Sequence, residues 1–308
     1  MATEIIDWTE SPSSAARNGV VSVGNFDGVH RGHAALIRRA RQLADDIGGP
    51  VTVLTFDPHP LQLLAPERYQ PPLTAVADRA AYLHEVGADA VVILKTTPEI
   101  LSLHPDEFFQ RILIGGFQAR GVVEGFNFRF GHDRSGTIET LRESCSKSGI
   151  SFHVADPFQL EGVTVSSSRV RDALLAGKIS DATELMNRLY RIRGVVGTGA
   201  KRGRAIGFPT ANLESVETLL PAEGVYAVRA VIGDRRYLGA ANIGPNPTFG
   251  EHSRKIEVHL IDFDGDLYGQ SLAVEFMERL RETRKFNSVE ELIGQLRQDV
   301  EAARRLLR

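Results

Sequence analysis

The stretch VVSVGNFDGVHRGH, residues 20–33, leaves the surrounding chain few ways to fold. Val20, Val21 and Val23 are β-branched and suit a buried strand. From Leu36 the apolar residues Leu36, Ile37, Ala40, Leu43, Ala44 and Ile47 recur on one face of a 3.6-residue period, which predicts a helix. Gly24, Asn25, Asp27, Gly28 and Gly32 lie between and accept the backbone angles of a sharp strand-to-helix turn. The N-terminus of such a helix presents free N–H groups and a positive dipole end, so it attracts an anion. His30 and His33 fall on one side of its first turn, and Gly32 lets a ligand approach the backbone. Phosphate handling is the expectation, although a helix cap or a surface position explains either histidine alone. A metal held by His30, His33, Asp27 and His59 is a weaker reading. Zinc helices space two histidines four apart around a glutamate, and neither feature is present.

The pattern continues as an α/β chain. Residues 51–56 (VTVLTF) form a second strand that ends in Asp57-Pro58-His59-Pro60. Helices around 78–86 and 105–114 precede the apolar runs at 90–94 and 121–123. Uninterrupted Val/Ile runs suit strands covered on both faces, so a doubly wound parallel sheet is expected, with ligands at the carboxyl ends of its strands. Three serines at 166–168 precede a short helix closed by Gly177, with Arg169 and Arg171 adding positive charge. Beyond Tyr190 long helical periodicity gives way to short strands between Gly, Pro, Asn and Asp turns, which predicts a small antiparallel barrel or sandwich. A C-terminal helix follows, capped by Ser288 with Glu291, its apolar stripe Leu292, Ile293, Leu296, Val300 and Ala303. The expected domains are 1–186 and 187–308.

At 308 residues two domains are natural, and a net charge of -3 gives no global pull toward nucleic acid or a membrane surface. Any anion site must be local. Cys145 is the only cysteine, the N-terminal residues carry no basic and apolar leader pattern, and no apolar run nears the ~18 residues of a membrane span. A cytoplasmic location is expected, and a homo-oligomer is left open.

GNFDGVHRGH resembles the HxGH-type signature of the nucleotidyltransferase superfamily. With TFDPHP at 55–60, GFNFRFG at 125–131 and SSSRVR at 166–171, it resembles the N-terminal module of bacterial bifunctional riboflavin kinase/FMN adenylyltransferases, or FAD synthetases. GRAIGFPTAN at 203–212, LPAEGVYA at 220–227, NPTFG at 246–250, IEVHLIDFDGDLYG at 256–269 and the segment 281–299 resemble their riboflavin kinase module. The matches are collinear along nearly the whole chain. The resemblance implies a nucleotidyltransferase-type sheet domain followed by the barrel. It also implies ATP-dependent phosphorylation of riboflavin to FMN and adenylylation of FMN to FAD, with Mg2+ assisting ATP. Riboflavin, FMN and ATP are the implied small-molecule partners.

For adenylyl transfer the resemblance implies His30 and His33 as catalytic, and Gly24, Phe26, Asp27, Gly28, Gly32, Asn127, Ser166, Ser167, Ser168 and Arg171 as binding residues. Phe126, Phe128 and Phe130 either stack on a flat ring or fill the core, and the core is favoured for at least one. Two departures stand out: Ser168 replaces the usual threonine and keeps the hydroxyl, whereas Glu124 replaces an aliphatic residue. That glutamate either points away from the phosphates or slows the transfer. In the second module Gly197, Gly199, Gly203 and Arg204 belong to a glycine-rich basic turn able to wrap an anion, although it fits neither a Walker nor a dinucleotide pattern. Thr210 and Asn212, two apart on an extended segment, offer oxygens, and the resemblance makes them the ligands of Mg-ATP. Alternation places Glu257 and His259 opposite Ile256, Val258 and Leu260. An exposed glutamate is the plain reading of Glu257, and the resemblance makes it the base that activates the ribityl hydroxyl. Arg281, Arg284 and Lys285, on an expected loop, are either a flap over the flavin or a charged surface.

Overall fold

In the computed structural model, which describes residues 2–198, 202–245 and 255–306, the first half of the chain is built on six parallel strands. These are β1 (Ala2–Ile6), β2 (Val20–Val23), β3 (Val51–Asp57), β4 (Ala90–Lys95), β5 (Gly121–Gly125) and β6 (Ser151–Ala155), in the order β1-β4-β3-β2-β5-β6. The order turns back at β2: the chain leaves β2 toward β3 and later adds β5 on the opposite side, which makes the gap between β2 and β5 the topological switch point. These two strands pair only at Val20 with Gly121 and at Val21 with Val122 before they diverge.

Helices cover both faces, as the continuous apolar strands require. On one face α1 (Arg31–Ile47) sets Ile37, Ala40 and Leu43 against Val20, Val53 and Val123. The short α2 (Pro60–Leu64) follows β3, and α3 (Val76–Glu85) adds Ala80 and Leu83 to the same layer. On the other face α4 (Pro98–Leu101), α5 (Pro105–Phe108) and α6 (Ile138–Lys147) pack Ile100, Phe108 and Leu141 on Val21, Val23 and Val122. The helix expected over 105–114 is regular only through Phe108 and continues as a wider π-helical spiral over Phe109–Gly116 that turns Phe109, Ile112 and Leu113 inward. Strands β1 and β6 go beyond the sequence reading. As sheet edges they are only partly buried and lack the uniform apolar runs of the central strands. A small hairpin, β7 (Gln159–Leu160) with β8 (Val163–Thr164), follows.

The chain divides into two compact units, Met1–Gln70 with Val76–Ser166 and Pro71–Ala75 with Ser167–Arg308. The second unit opens with α7 (Ser167–Leu175) and α8 (Ile179–Met186). Gly177, at φ 71°, ends α7 as expected, and the Lys178 N–H donates to the Ala173 carbonyl. A closed antiparallel barrel then forms from β9 (Tyr190–Gly197), β10 (Ala211–Glu214), β11 (Gly224–Ile232), β12 (Arg235–Gly244), β13 (Lys255–Leu260) and β14 (Ser271–Arg281). The short α9 (Arg202–Ala205) lies between β9 and β10. Tyr190, Tyr226 and Phe276 fill the interior, with the Tyr226 and Phe276 rings edge to face at 5.2 Å. The final helix, α10 (Val289–Arg305), buries Ala303 beside Ala227 and Ile261. Its cap is the Ser288 hydroxyl, which accepts the Glu291 N–H, while the Glu291 carboxylate takes the N–H of Asn287, one residue outside the expected box.

One ion cluster spans three barrel strands. Glu275 on β14 is 5% exposed and accepts from Arg191 on β9 and from Arg229 on β11, the latter at 2.6 Å. Burial alone would raise its carboxyl, but the two guanidiniums prevail and hold it below the usual value of 4.5. Glu275→Gln should therefore cost the barrel roughly 2 kcal/mol at neutral pH, because two guanidiniums lose their charged partner. A depressed carboxyl contributes stability above its unfolded value and loses it as pH falls through the folded one. Denaturant unfolding should thus show the gap between parent and variant closing only below pH 4.5.

Candidate active sites

The turn after β2 is built tightly. His30 is the N-cap of α1, and its Nδ1 accepts the His33 N–H at 3.3 Å, so in the neutral ring Nε2 carries the proton. The two imidazoles stack at 3.7 Å between centroids and 14° between planes. The helix-cap and histidine-pair readings are therefore one arrangement. Gly32 permits it: a Cβ there would lie 3.0 Å from the His30 ring and 3.3 Å from the Val165 carbonyl. Phe26 at φ 47° and Val29 at φ 36° occupy left-handed backbone that disfavours their side chains, and both are buried in the α1 layer that holds them there. The Phe26 ring lies 5.1 Å from that of His33, and Gly24, Asp27 and Gly28 complete the same turn. His59 instead caps α2 by accepting the Leu61 N–H, and no cluster of three or more metal-binding side chains occurs among the described residues.

Other expected residues reach this end of the sheet from β5 and β8. Asn127 is exposed two residues beyond β5, and Ser166 follows the Val165 carbonyl that faces Gly32. Phe128 and Phe130 stack at 5.5 Å against the core, whereas Phe126 is 52% exposed. Ser167 and Ser168 open α7 within the second compact unit, where the Arg171 guanidinium donates to the Pro71 carbonyl at 2.6 Å.

The barrel carries the second constellation. A cavity of about 310 Å³ is lined by Val196, Val258 and Leu260 together with Gly203, Arg204 and Thr210. That size suits a nucleotide base and sugar. A Cβ at Gly197 would lie 2.1 Å from the Glu214 carboxylate, and one at Gly203 2.2 Å from the Phe208 carbonyl, so both glycines are set by close approach. Register places Asn212 of β10 directly opposite Glu257 of β13, and Asn242 of β12 opposite Glu257 on its other side. Two carboxamides thus flank the candidate base on one face. Asn242, whose Oδ1 accepts the Thr283 hydroxyl at 3.3 Å, escapes a motif reading because only sheet register brings it to Glu257. Arg281 closes β14 instead of standing on a loop, held by the Asp299 carboxylate of α10 at 2.8 and 3.0 Å, and Arg284 bonds Gln295. Gly199 and the NPTFG segment lie outside the described residues.

Comparison with known proteins shows the family of the chain. A family model described as FAD synthetase matches residues 13–169, and one described as riboflavin kinase matches 186–307. A bifunctional riboflavin kinase/FMN adenylyltransferase of Pseudomonas fluorescens is 40% identical, the alignment covering 94% of this chain and 93% of that protein. The protein of the same name from Escherichia coli K12 is 35% identical over 98% and 97%. This chain belongs to the bifunctional riboflavin kinase/FMN adenylyltransferase family. A crystal structure described as a macrolide-efflux protein from Streptococcus pneumoniae is also similar, 33% identical over 99% of both chains with a TM-score of 0.87. No helix among the described residues of the present chain is long and apolar enough to cross a membrane.

Against the riboflavin kinase/FMN adenylyltransferase pattern, Glu124 is the residue that needs explaining, and its surroundings explain it. It is 1% exposed, lies within electrostatic reach of Cys145 on α6, and accepts the Val23 N–H at 2.6 Å where β2 and β5 have separated. Burial raises its carboxyl well above 4.5, against the smaller opposing effect of that hydrogen bond. Burial thus favours the neutral form of the carboxyl that the sequence places beside the loop. Since the folded value exceeds the unfolded one, Glu124 favours folding less as pH rises above 4.5. Thermal melts of Glu124→Gln should lack this part of the parent's loss of stability toward alkaline pH.

Proposed function

We propose that the His30–His33 turn carries FMN adenylylation and the Glu257 face of the barrel carries riboflavin phosphorylation, with functional modules at 1–186 and 187–308. The observation that carries the first assignment is the stacked histidine pair at a helix N-terminus on the carboxyl edge of a parallel sheet. There the FMN phosphate attacks the α-phosphorus of ATP and pyrophosphate leaves. The protein's task is positioning and charge stabilisation, which backbone N–H groups at the start of α1 and the two imidazoles can supply. By the family resemblance, Ser166, Ser167, Ser168, Asn127 and Arg171 also hold the phosphates or the flavin.

In the barrel, Glu257 takes the proton of the ribityl hydroxyl as that oxygen attacks the γ-phosphorus. Gly197, Gly199, Gly203 and Arg204 hold the ATP phosphates. Thr210 immediately precedes β10 and Asn212 lies within it. Their two neutral oxygens fit Mg2+; Thr210 and Asn212 would hold it, and when bound it would neutralise charge on ATP. Substrates that are all small molecules of central metabolism agree with a cytoplasmic enzyme.

Incubating the purified chain with riboflavin and Mg-ATP and separating the flavins by chromatography should yield both FMN and FAD. Neither product would sink the proposal, and FMN alone would leave one competent module. His30→Ala with His33→Ala should lower FAD formation by at least about 100-fold while FMN still accumulates. Glu257→Ala should lower riboflavin phosphorylation by roughly 100-fold or more yet still convert supplied FMN to FAD. A Glu257→Ala enzyme that phosphorylates riboflavin at the parent rate rules Glu257 out as the base.

A further inference from the structure

Arg79 on α3 is 4% exposed, a charged side chain in the helix layer that otherwise buries Ala80 and Leu83. Its guanidinium reaches the carboxyl edge of the sheet and bonds two backbone carbonyls. One nitrogen donates to Asn25, inside the turn after β2, at 3.0 Å. The other donates to Phe56, at the end of β3, also at 3.0 Å. The Thr55 hydroxyl donates to the same Asn25 carbonyl at 3.2 Å, so the turn is tied to β3 twice. Asp27 and Asp57 lie within electrostatic reach, one on each tethered segment, and Nε has no hydrogen-bond partner among the described residues.

Stability alone is a poor reason for this arrangement. Burying a guanidinium costs several kcal/mol, and an apolar residue of similar volume is often as stabilising or more so. The position gives a better reason. Strand ends project carbonyl oxygens, and here two carboxylates join them beside a turn that is to receive a triphosphate. A fixed positive charge beneath the turn offsets that field without itself contacting the substrate, and its two bonds set the spacing between the β2 turn and the β3 end.

We propose that Arg79 is a positioning residue for adenylyl transfer, a buried cation that fixes the histidine-bearing turn against the end of β3 and compensates the negative groups around it. The inference rests on the assignment of FMN adenylylation to that turn. Because phosphoryl chemistry depends on alignment, Arg79→Gln and Arg79→Ala should lower kcat for FAD formation on the order of 100-fold. KM for FMN should change far less, and riboflavin phosphorylation by the same chain should stay at the parent rate. Added guanidinium ion should restore part of the Arg79→Ala rate, whereas urea, similar in shape but uncharged, should not. Parent kcat in both variants overturns the proposal, as does equal rescue by urea. It is also overturned by a loss that guanidinium fails to restore and that follows a lowered melting transition, since Arg79 would then serve stability alone. The His30→Ala/His33→Ala enzyme run alongside separates the two levels. If it keeps FAD formation, the turn itself is misassigned. If it fails while the Arg79 variants do not, only the role of Arg79 is wrong.

Discussion

The early parting of β2 and β5 is the constraint on which the first unit depends. Two pairs of residues hold these strands together, and beyond Val21 each runs on toward its own loop. The N–H of Val23 consequently has no strand partner on that side, and the Glu124 carboxyl takes it. One residue later the chain enters the turn whose Phe26 and Val29 adopt costly backbone angles. Such strain persists only where surrounding packing determines it, and α1 supplies that packing through the same layer that buries both side chains. Sheet topology, a side-chain hydrogen bond and helix packing together place two imidazoles face to face.

The barrel solves a comparable problem by register. A closed sheet has no free edge, so each residue of β13 has neighbours on both sides, and Glu257 meets Asn212 on one and Asn242 on the other. The cluster of Arg191, Arg229 and Glu275 and the pairing of Arg281 with Asp299 tie strands to one another and to α10. Polar chemistry on one part of the barrel is thus supported by ionic links on others.

Much of this was legible in the residues. The valine run at β2, the period of α1 and the glycines between them specify a strand, a turn and a helix, because each signal is local. The same holds for the alternation of β13 and for the Gly177 helix stop. What escaped needed distant partners. β1 has only alternating exposure and becomes a strand because β4 offers an edge. The π-helical widening after Phe108 follows from how Phe109 and Leu113 must meet the sheet. Arg281 looked like part of a loop because its partner, Asp299, lies on another element. Arg79 and Asn242 belong to no motif, although an arginine inside an apolar helical stripe was a readable anomaly. Glu124 stands out in the sequence, but its orientation depends on which face of β5 meets α6.

Cys145 gives the chain a practical property. It is fully buried, and burial, with Glu124 nearby, pushes its thiol up to about 12. The chain's single native sulfhydryl is therefore chemically silent toward thiolate-seeking reagents while the fold is intact. A cysteine introduced at an exposed position of either unit would be the only addressable one. Fluorophores or spin labels could then be attached one at a time to follow the two units through a catalytic cycle, with the native residue left in place.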